Sequence, residues 1–221
     1  MIPRVPLRDE VYRQILDRIH RGELPPGTRV RDADLAAQLG VSRTPIREAL
    51  LRLVRDGVLD TAMGRGFRVR PIDAAELREV GDILGALEAL ALRLSPRPSA
   101  ERLDGLRQVD RRLEQTRGDV SRCLDLEDEW HRVLLEECPN RRLLELITSL
   151  RHVPRRYLAA FMRDAGRLSL STMPHQKILQ ALQDGGDTAP AVFEQQWRKG
   201  LAELEAWVAK SPKTEPPGRT A

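Results

Sequence analysis

The sequence predicts a mainly α-helical protein with two domains. Its 221 residues are too many for one small module and suit a compact domain followed by a larger one. Apolar residues make up 41% of the chain but aromatic residues only 4%, which favours packed helices over sheets. Because Pro71 resists helix continuation, we expect domains at residues 1–71 and 72–210.

The excess positive charge is concentrated at the N-terminal end. Residues 1–72 contain 14 basic and 9 acidic side chains, whereas the rest of the chain contains 23 and 24. Such a segment is expected to bind a polyanion. Cys123 and Cys138 lack metal-type spacing, and no apolar stretch approaches the ~20 residues of a membrane span. We therefore expect a reduced, cytoplasmic protein without a membrane partner.

Three amphipathic helices are predicted in the first domain. Apolar residues recur every four positions over residues 8–20. Asp32 can cap a second helix that ends at Gly40, and Ser42 or Thr44 can cap a third. The order helix, short turn, helix is that of a helix-turn-helix.

A β-hairpin wing is predicted after the third helix in the sequence. Two β-prone runs, residues 58–59 and 67–69, flank a turn that contains Gly64 and Arg65. The glycine lets the backbone lie close to a sugar-phosphate chain, and Arg65 is a cation suited to a minor groove. A tight turn that merely requires glycine is the alternative.

The third helix carries candidates for contacts with double-stranded DNA. Arg43, Thr44 and Arg47 lie opposite its core-facing stripe, so a helix-turn-helix places them in a major groove. There an arginine can donate two hydrogen bonds to guanine, and Ser42 and Thr44 can reach phosphates. Arg31 is a further candidate. The alternative for the arginines is an ordinary solvated helix face.

Residues 7–70 resemble the DNA-binding domain of the GntR family of transcriptional regulators. The match runs through Gly22-Glu23-Leu24-Pro25-Pro26-Gly27, Leu39-Gly40-Val41-Ser42-Arg43-Thr44-Pro45 and Arg47-Glu48-Ala49-Leu50. The resemblance implies a winged helix-turn-helix in which Arg43 and Arg47 contact the operator and Gly64 approaches the minor groove. It also implies a homodimer on a palindromic operator, with repression the commoner outcome.

The rest of the chain predicts an all-helical bundle. Apolar residues recur at alternating steps of three and four residues from Leu77 to Leu94. Asp73 and Glu76, at the start of this segment, have the spacing of a capping box. No strand is expected in this half. Disorder is expected for residues 211–221, which contain three prolines and no apolar run. Further helices are predicted at residues 99–117, 120–137, 141–164, 174–184 and 188–209.

This half resembles the helical ligand-binding domain of the FadR-type branch of the family, called FCD. The matching positions are Leu87-Glu88, Trp130-His131, Cys138-Pro139-Asn140 and His175. The resemblance implies a small-molecule effector. In many such domains it also implies a divalent metal ion bound by one carboxylate and three histidines.

Glu127, His131 and His175 are the candidate metal ligands. Glu127 and His131 share a helix face, and two imidazoles with a carboxylate suit zinc or a similar ion. The family's fourth ligand is absent, because its position falls at Trp197 and Arg198. Either water or effector completes the site, or Arg198 supplies the positive charge that a metal would give. Interior histidines without an ion are the further alternative.

The identity of the effector is open. The family commonly has an arginine that grips a carboxylate effector where this chain has Leu84. Arg151, Arg155 and Arg156 can point inward instead, although exposed arginines are commoner. Arg151 and Arg198 join the metal ligands as effector-pocket candidates, and a more apolar effector, or none, stays open.

The sequence also bears on three other function classes. A metal-assisted hydrolase would use the same Glu127, His131 and His175, but no nucleophile motif or phosphate loop accompanies them, so we expect no enzyme. An RNA-binding protein would need stacking aromatics, and the basic segment offers only Tyr12 and Phe67. A helical half that only dimerises is the more serious alternative to a sensor.

Overall fold

The described residues of the computed structural model are 6–62, 66–116, 119–164 and 175–210. Between Ile72 and Asp73 the chain divides into two compact units. The elements, in chain order, are α1 (Leu7–His20), β1 (Arg29–Val30), α2 (Asp32–Leu39), α3 (Arg43–Arg55), β2 (Leu59–Ala62), β3 (Gly66–Val69), α4 (Ala74–Leu94), α5 (Ala100–Gln115), α6 (Val120–Leu135), α7 (Arg141–Leu150), α8 (His152–Asp164), α9 (His175–Gln183) and α10 (Ala189–Lys210).

Three helices of the first unit pack around an aliphatic core. α1 and α2 both pack against α3, and Ile15, Ile46, Leu50 and Leu53 are fully buried between them. Gly40 ends α2 with a φ of 66°, a left-handed conformation that glycine adopts without strain. The chain can therefore turn directly into α3, which confirms the predicted helix-turn-helix.

A three-stranded antiparallel sheet completes this unit. β2 and β3 pair along their length, which confirms the predicted hairpin. β1 pairs with the other edge of β3, so the strand order is β1-β3-β2. The sequence pattern does not predict β1, because two residues are too few for a periodicity to show. Gly64 and Arg65, at the predicted tip of the wing, lie outside the described residues.

The second unit is a helical bundle without a strand in its described ranges. α4 packs against α6, α7, α8 and α10, and α5 packs against α6 and α9. The largest buried side chains of this bundle are Trp130, Tyr157 and Phe193. α4 begins behind Asp73, whose Oδ1 accepts a hydrogen bond of 2.8 Å from the backbone of Ala75. No helix in the described ranges is long and apolar enough to cross a membrane.

The helix predicted over residues 141–164 is two helices. α7 ends at Leu150 and α8 begins at His152, with Arg151 in a turn between them. Pro154 has no N–H to donate to the carbonyl of Leu150, and its ring would clash with that carbonyl in a continuous helix. The prediction of one helix was wrong because the apolar periodicity continues on both sides of the break, although Pro154 marks it.

Candidate nucleic-acid interface and metal centre

The N-terminal end of α3 presents a polar face to solvent. The side chains of Arg43 and Arg47 are 66% and 65% exposed, and Ser42 and Thr44 are exposed beside them. Ile46 is fully buried on the opposite face. This arrangement can present two guanidinium groups, one helical turn apart, to a major groove.

An acidic side chain of α2 holds these guanidinium groups. Nη2 of Arg43 donates to both carboxylate oxygens of Asp32 at 3.0 Å, and Nη1 of Arg47 lies 3.7 Å from Asp32 Oδ2. The hydrogen bond from Arg43 lowers the pKa of Asp32 below its usual value. Asp32 is the first residue of α2 rather than its cap, and Arg31 occupies the cap position with its side chain exposed. The sequence pattern suggested a capping role for Asp32 and missed this bridge.

The helical unit brings together the three candidate metal ligands. One ligand atom from each of Glu127, His131 and His175 can be chosen so that all lie within 4.8 Å of one another, and all three residues are buried. Glu127 and His131 come from successive turns of α6, and His175 is the first residue of α9. Trp130 stacks on the His175 ring, with ring centroids 3.7 Å apart. Two elements far apart in sequence therefore converge on one buried point.

Two further carboxylates orient the imidazole rings. Glu88 Oε2 lies 2.6 Å from His131 Nδ1, and Asp110 Oδ1 lies 2.6 Å from His175 Nδ1. These contacts use Nδ1 of each ring, and Nε2 of His175 lies 3.4 Å from Glu127 Oε2. Carboxylates that fix histidine rings through Nδ1 are typical of metal sites. Neither contact was predicted, since 43 and 65 residues separate the partners.

The two histidines have opposite pKa shifts. Burial and the charge of Arg151 lower the pKa of His131. Burial also acts to lower the pKa of His175, but the charge of Glu127 and the hydrogen bond to Asp110 outweigh it and raise that pKa to about 9. In the absence of an ion, His131 is therefore neutral and His175 is an imidazolium at neutral pH.

The donor set fits a divalent transition metal. Burial opposes ionisation of Glu88, but the charge of Arg151 and the contact with His131 lower its pKa to about 2. An ionised Glu88 can only accept a hydrogen bond, so the proton of His131 resides on Nδ1 and its Nε2 has a free lone pair. Glu127 Oε1 is buried and has no hydrogen-bond partner among the described residues. Imidazole nitrogens and an unpartnered carboxylate oxygen within one buried cluster are the donors that zinc coordination uses.

The predicted pocket arginines are divided between two locations. Arg151 lies in the site, with its side chain 18% exposed. Arg198 does not, because its side chain is 77% exposed and lies 3.7 Å from Glu194 on the outside of α10. The expectation that Arg198 supplies charge to the pocket is therefore wrong. Its neighbour Trp197 faces inward instead, and its indole donates to the Gly81 carbonyl at 2.7 Å.

All three arginines around the α7–α8 break point into the unit. The side chains of Arg155 and Arg156 are only 10% and 3% exposed. Their carboxylate partners are Glu88 and Asp128 for Arg151, Asp125 and Asp128 for Arg155, and Glu76 for Arg156. Each guanidinium is thus already engaged by an acidic group of the protein.

A cavity of about 70 Å³ opens beside the cluster. Its polar end contains Glu127, His131 and Arg151. Its apolar walls are Leu77, Leu124, Leu158, Trp197, Leu201 and Leu204. The cavity lies inside the helical unit and can admit a small molecule next to the candidate metal ligands.

Family models cover most of the chain. The model described as "Bacterial regulatory proteins, gntR family" matches residues 7–69, and the FCD domain model matches residues 79–192. Together they account for the helix-turn-helix with its sheet and for most of the helical unit.

The alignments with two curated relatives extend over both units of the chain. The Nta operon transcriptional regulator of Aminobacter aminovorans is 36% identical over 172 residues, which are 76% of this chain and 80% of that protein. The probable D-xylose utilization operon transcriptional repressor of Paenarthrobacter nicotinovorans is 30% identical over 187 residues, 83% of this chain and 82% of that protein.

A solved structure shares the fold. E. coli McbR/YncC aligns with a TM-score of 0.75 at 24% identity and covers 93% of this chain and 98% of that one. The family and the curated relatives are transcription regulators rather than enzymes, in agreement with the sequence-based expectation. The chain belongs to the gntR family of bacterial regulatory proteins and is a DNA-binding transcriptional regulator whose helical unit is an FCD domain.

Proposed function

We propose that this regulator reads a short palindromic operator as a homodimer, and that a divalent metal ion and a small effector in the FCD domain set its operator affinity. The observation that carries the proposal is the convergence of Glu127, His131 and His175 on one buried point beside a cavity. A buried, largely apolar cavity with a few convergent polar groups is the usual form of an effector site.

Arg43 and Arg47 are the proposed base-reading residues. Each guanidinium can donate two hydrogen bonds to a guanine in the major groove, worth roughly 1–3 kcal/mol of discrimination per pair. Ser42 and Thr44 would contact phosphates from the same helix end. Asp32 holds both arginines in the free protein, so less side-chain freedom is lost when DNA binds.

Asp32→Ala is expected to reduce sequence discrimination while strengthening non-specific binding. The substitution frees two arginines, each of which then loses about 1 kcal/mol of side-chain freedom on binding, and it removes a negative charge that repels phosphate. These losses add up to about 2 kcal/mol in each half-site, so the ratio of specific to non-specific affinity should fall by at least about 30-fold. Anisotropy titrations with selected and scrambled duplexes measure both affinities. Asp34→Ala, an exposed acid of the same helix turn, is the control for lost charge, and an unchanged ratio in Asp32→Ala would contradict the ordering role.

A surface on the FCD domain is proposed as the dimer interface. Ile83, Leu87, Leu90 and Leu94 recur at alternating four- and three-residue steps on α4, and Ile83, Leu90 and Leu94 are 52%, 39% and 43% exposed. Leu146 is a further exposed leucine, 54% exposed, on α7, a helix that packs against α4. A palindromic operator has two half-sites, so two DNA-binding domains are needed to bind it. An apolar stripe with coiled-coil spacing suits a second copy of the same chain.

Leu90→Lys is expected to weaken the dimer on the order of 100-fold. A two-fold interface contains the substitution twice, and each buried ammonium would cost more than 1 kcal/mol. Light scattering after gel filtration over a concentration series measures the dissociation constant. Leu51→Lys, at a leucine of α3 that is 46% exposed, should leave the dimer intact. A Leu90→Lys protein that stays dimeric at nanomolar concentration would exclude this surface.

The proposed metal ligands are Glu127 and the Nε2 atoms of His131 and His175. A bound divalent ion would supply two positive charges and, with three protein ligands, an open coordination position. Glu88 and Asp110 hold the imidazole rings through Nδ1. At neutral pH His175 must release its proton before it can act as a ligand, because its pKa is raised to about 9.

Operator titrations test whether the FCD domain is a sensor. A duplex selected from a random library by the full-length protein would be titrated with metal-free protein, with zinc-loaded protein, and with zinc-loaded protein plus straight-chain monocarboxylates from acetate to octanoate. We expect at least one of these conditions to change operator affinity by a factor of five or more, a typical coupling between two sites. Equal affinity in every condition would assign the helical unit a purely dimerising role.

A further inference from the structure

Two arginines lie side by side on the outward side of the small sheet. Arg29 of β1 is the partner of Arg68 of β3 in the antiparallel register. Their strand neighbours Val30 and Phe67 are buried in the core, and successive side chains of a strand point to opposite sides. Arg29 is exposed and Arg68 is half-buried. We call this outward side of β1 and β3 the arginine face.

Neither arginine of this face forms an ion pair with an acidic side chain of the described ranges. The acid opposite Arg68 on β2 is Asp60, and its Oδ1 accepts a hydrogen bond of 2.8 Å from Nε of Arg70. Nε of Arg68 is buried and has no hydrogen-bond partner among the described residues. Like charges directly opposite each other destabilise an antiparallel pair. Because the fold gains nothing from this pair, we expect it to bind an anion outside the unit.

The arginine face continues the surface that α3 presents to solvent. Arg31 follows Val30 in an extended conformation, with a φ of −106° and a ψ of 132°, and its side chain is exposed. It therefore lies on the same side of the chain as Arg29, roughly 7 Å further along. The next residue is Asp32, which holds Arg43 at 3.0 Å. Positive side chains thus extend from the first turn of α3, past the start of α2, to the sheet.

The backbone beneath the arginine face is fixed by close pairing. The N–H of Val69 donates to the Thr28 carbonyl at 2.9 Å, and the N–H of Gly27 donates to the Val69 carbonyl at 2.9 Å. A Cβ atom added to Gly66 would lie 3.0 Å from the carbonyl oxygen of Val30. Strands β1 and β3 therefore approach closely along this edge, and the two arginines extend from defined backbone positions.

A sugar-phosphate backbone fits this face better than an acidic protein surface does. Arg29, Asp60 and Arg68, which lie across the centre of the sheet on its outward side, include no apolar or aromatic anchor of the kind that a protein interface buries. Phosphate contacts need only cations that reach the strand, and they orient a protein on its duplex without reading bases.

We propose that Arg29 and Arg68 bind phosphates of the operator backbone beside the major groove that α3 enters. This inference rests on the proposed docking of α3, which places duplex DNA on this side of the unit. The arginine face adds affinity for any duplex, because phosphates carry no sequence information. The preference for the operator remains with Arg43 and Arg47.

The salt dependence of duplex binding tests the inference. Full-length wild-type, Arg29→Gln and Arg68→Gln proteins would be titrated by anisotropy with selected and scrambled duplexes between ~50 and ~200 mM salt. Each phosphate contact contributes about 0.9 to the slope of log affinity against log salt concentration. A dimer loses one contact in each half-site, so each variant should have a slope smaller by about 2. Both affinities should fall by the same factor, at least about tenfold at ~0.1 M salt.

Conservative and charge-matched variants are the controls. Arg29→Lys and Arg68→Lys keep the positive charge and should keep the wild-type slope. Arg55→Gln removes the same charge from an exposed arginine of the last turn of α3 and should leave the slope near the wild-type value. An unchanged slope in the folded double variant Arg29→Gln and Arg68→Gln would overturn the inference and indicate another anionic partner. A large fall in the ratio of specific to non-specific affinity would also overturn it, because phosphate contacts do not discriminate between sequences.

Failure of the inference and failure of the proposed function give different results. If Arg43→Ala loses sequence discrimination while Arg29→Gln and Arg68→Gln keep the wild-type slope, the contact through the sheet is wrong and the docking of α3 stands. If Arg43→Ala and Arg47→Ala both keep specific affinity, the docking of α3 is wrong and the inference fails with it.

Discussion

Alanine in place of Arg43 or Arg47 is expected to abolish sequence-specific DNA binding and leave dimerisation intact. Each guanidinium can contribute roughly 2 kcal/mol of discrimination at a guanine, and a homodimer loses that contact in both half-sites. Specific affinity should therefore fall by about 1000-fold, whereas non-specific affinity should fall only by the contribution of the lost charges. Competition between selected and scrambled duplexes at fixed salt measures the specific and the non-specific affinity separately.

Arg55→Ala is the matched control for this experiment. Arg55 is also an exposed arginine of α3, but it lies at the opposite end of the helix from Ser42. It should lower non-specific binding slightly and keep the specificity ratio. If specific affinity survives both Arg43→Ala and Arg47→Ala, the proposed docking of α3 in the major groove is incorrect.

Substitutions around the proposed metal site are expected to weaken zinc binding strongly. Asp110→Asn should weaken zinc binding by about 10- to 100-fold, because it removes the carboxylate that fixes the His175 ring. His175→Ala should weaken it further, since a ligand itself is lost. Competition with a chromophoric chelator measures both affinities. His152→Ala, at a histidine of α8 outside the cluster, should bind zinc as the wild type does, and equal zinc affinity in His175→Ala would remove His175 from the ligand set.

Zinc affinity is also expected to rise with pH. In the metal-free protein His175 is protonated below its pKa of about 9, so zinc must displace one proton in that range. Affinity should therefore rise about tenfold per pH unit from neutral pH and level off above pH ~9. Calorimetry in two buffers of different ionisation enthalpy would detect release of close to one proton at pH ~7. No proton release would contradict the assignment.

Most of the fold follows from local sequence patterns. The apolar period of α1 to α3, Gly40 at the end of α2 and the two β-prone runs are local features, and the structure contains the elements that they predict. The break at Arg151 was missed although Pro154 marks it, because the apolar stripe continues on both sides. The strand β1 was missed because its pairing with β3 is a contact between distant segments.

The candidate site was only partly predictable for a related reason. Glu127 and His131 can be paired by their spacing in one helix, and His175 was added by resemblance to the family. The contacts of Glu88 and Asp110 depend on how helices pack, which spacing alone does not reveal. The prediction for Arg198 is wrong because successive residues of a helix are rotated by about 100° about its axis. Trp197 therefore faces the interior, whereas the next residue, Arg198, faces solvent.

Anomalous scattering at the zinc edge, from crystals of the full-length protein grown with zinc, would show whether Glu127, His131 and His175 bind one ion. We expect one peak within about 2.2 Å of Nε2 of His131, of Nε2 of His175 and of a Glu127 carboxylate oxygen. A map without a peak at that point, with His175 and Glu127 in direct hydrogen-bond contact, would contradict it.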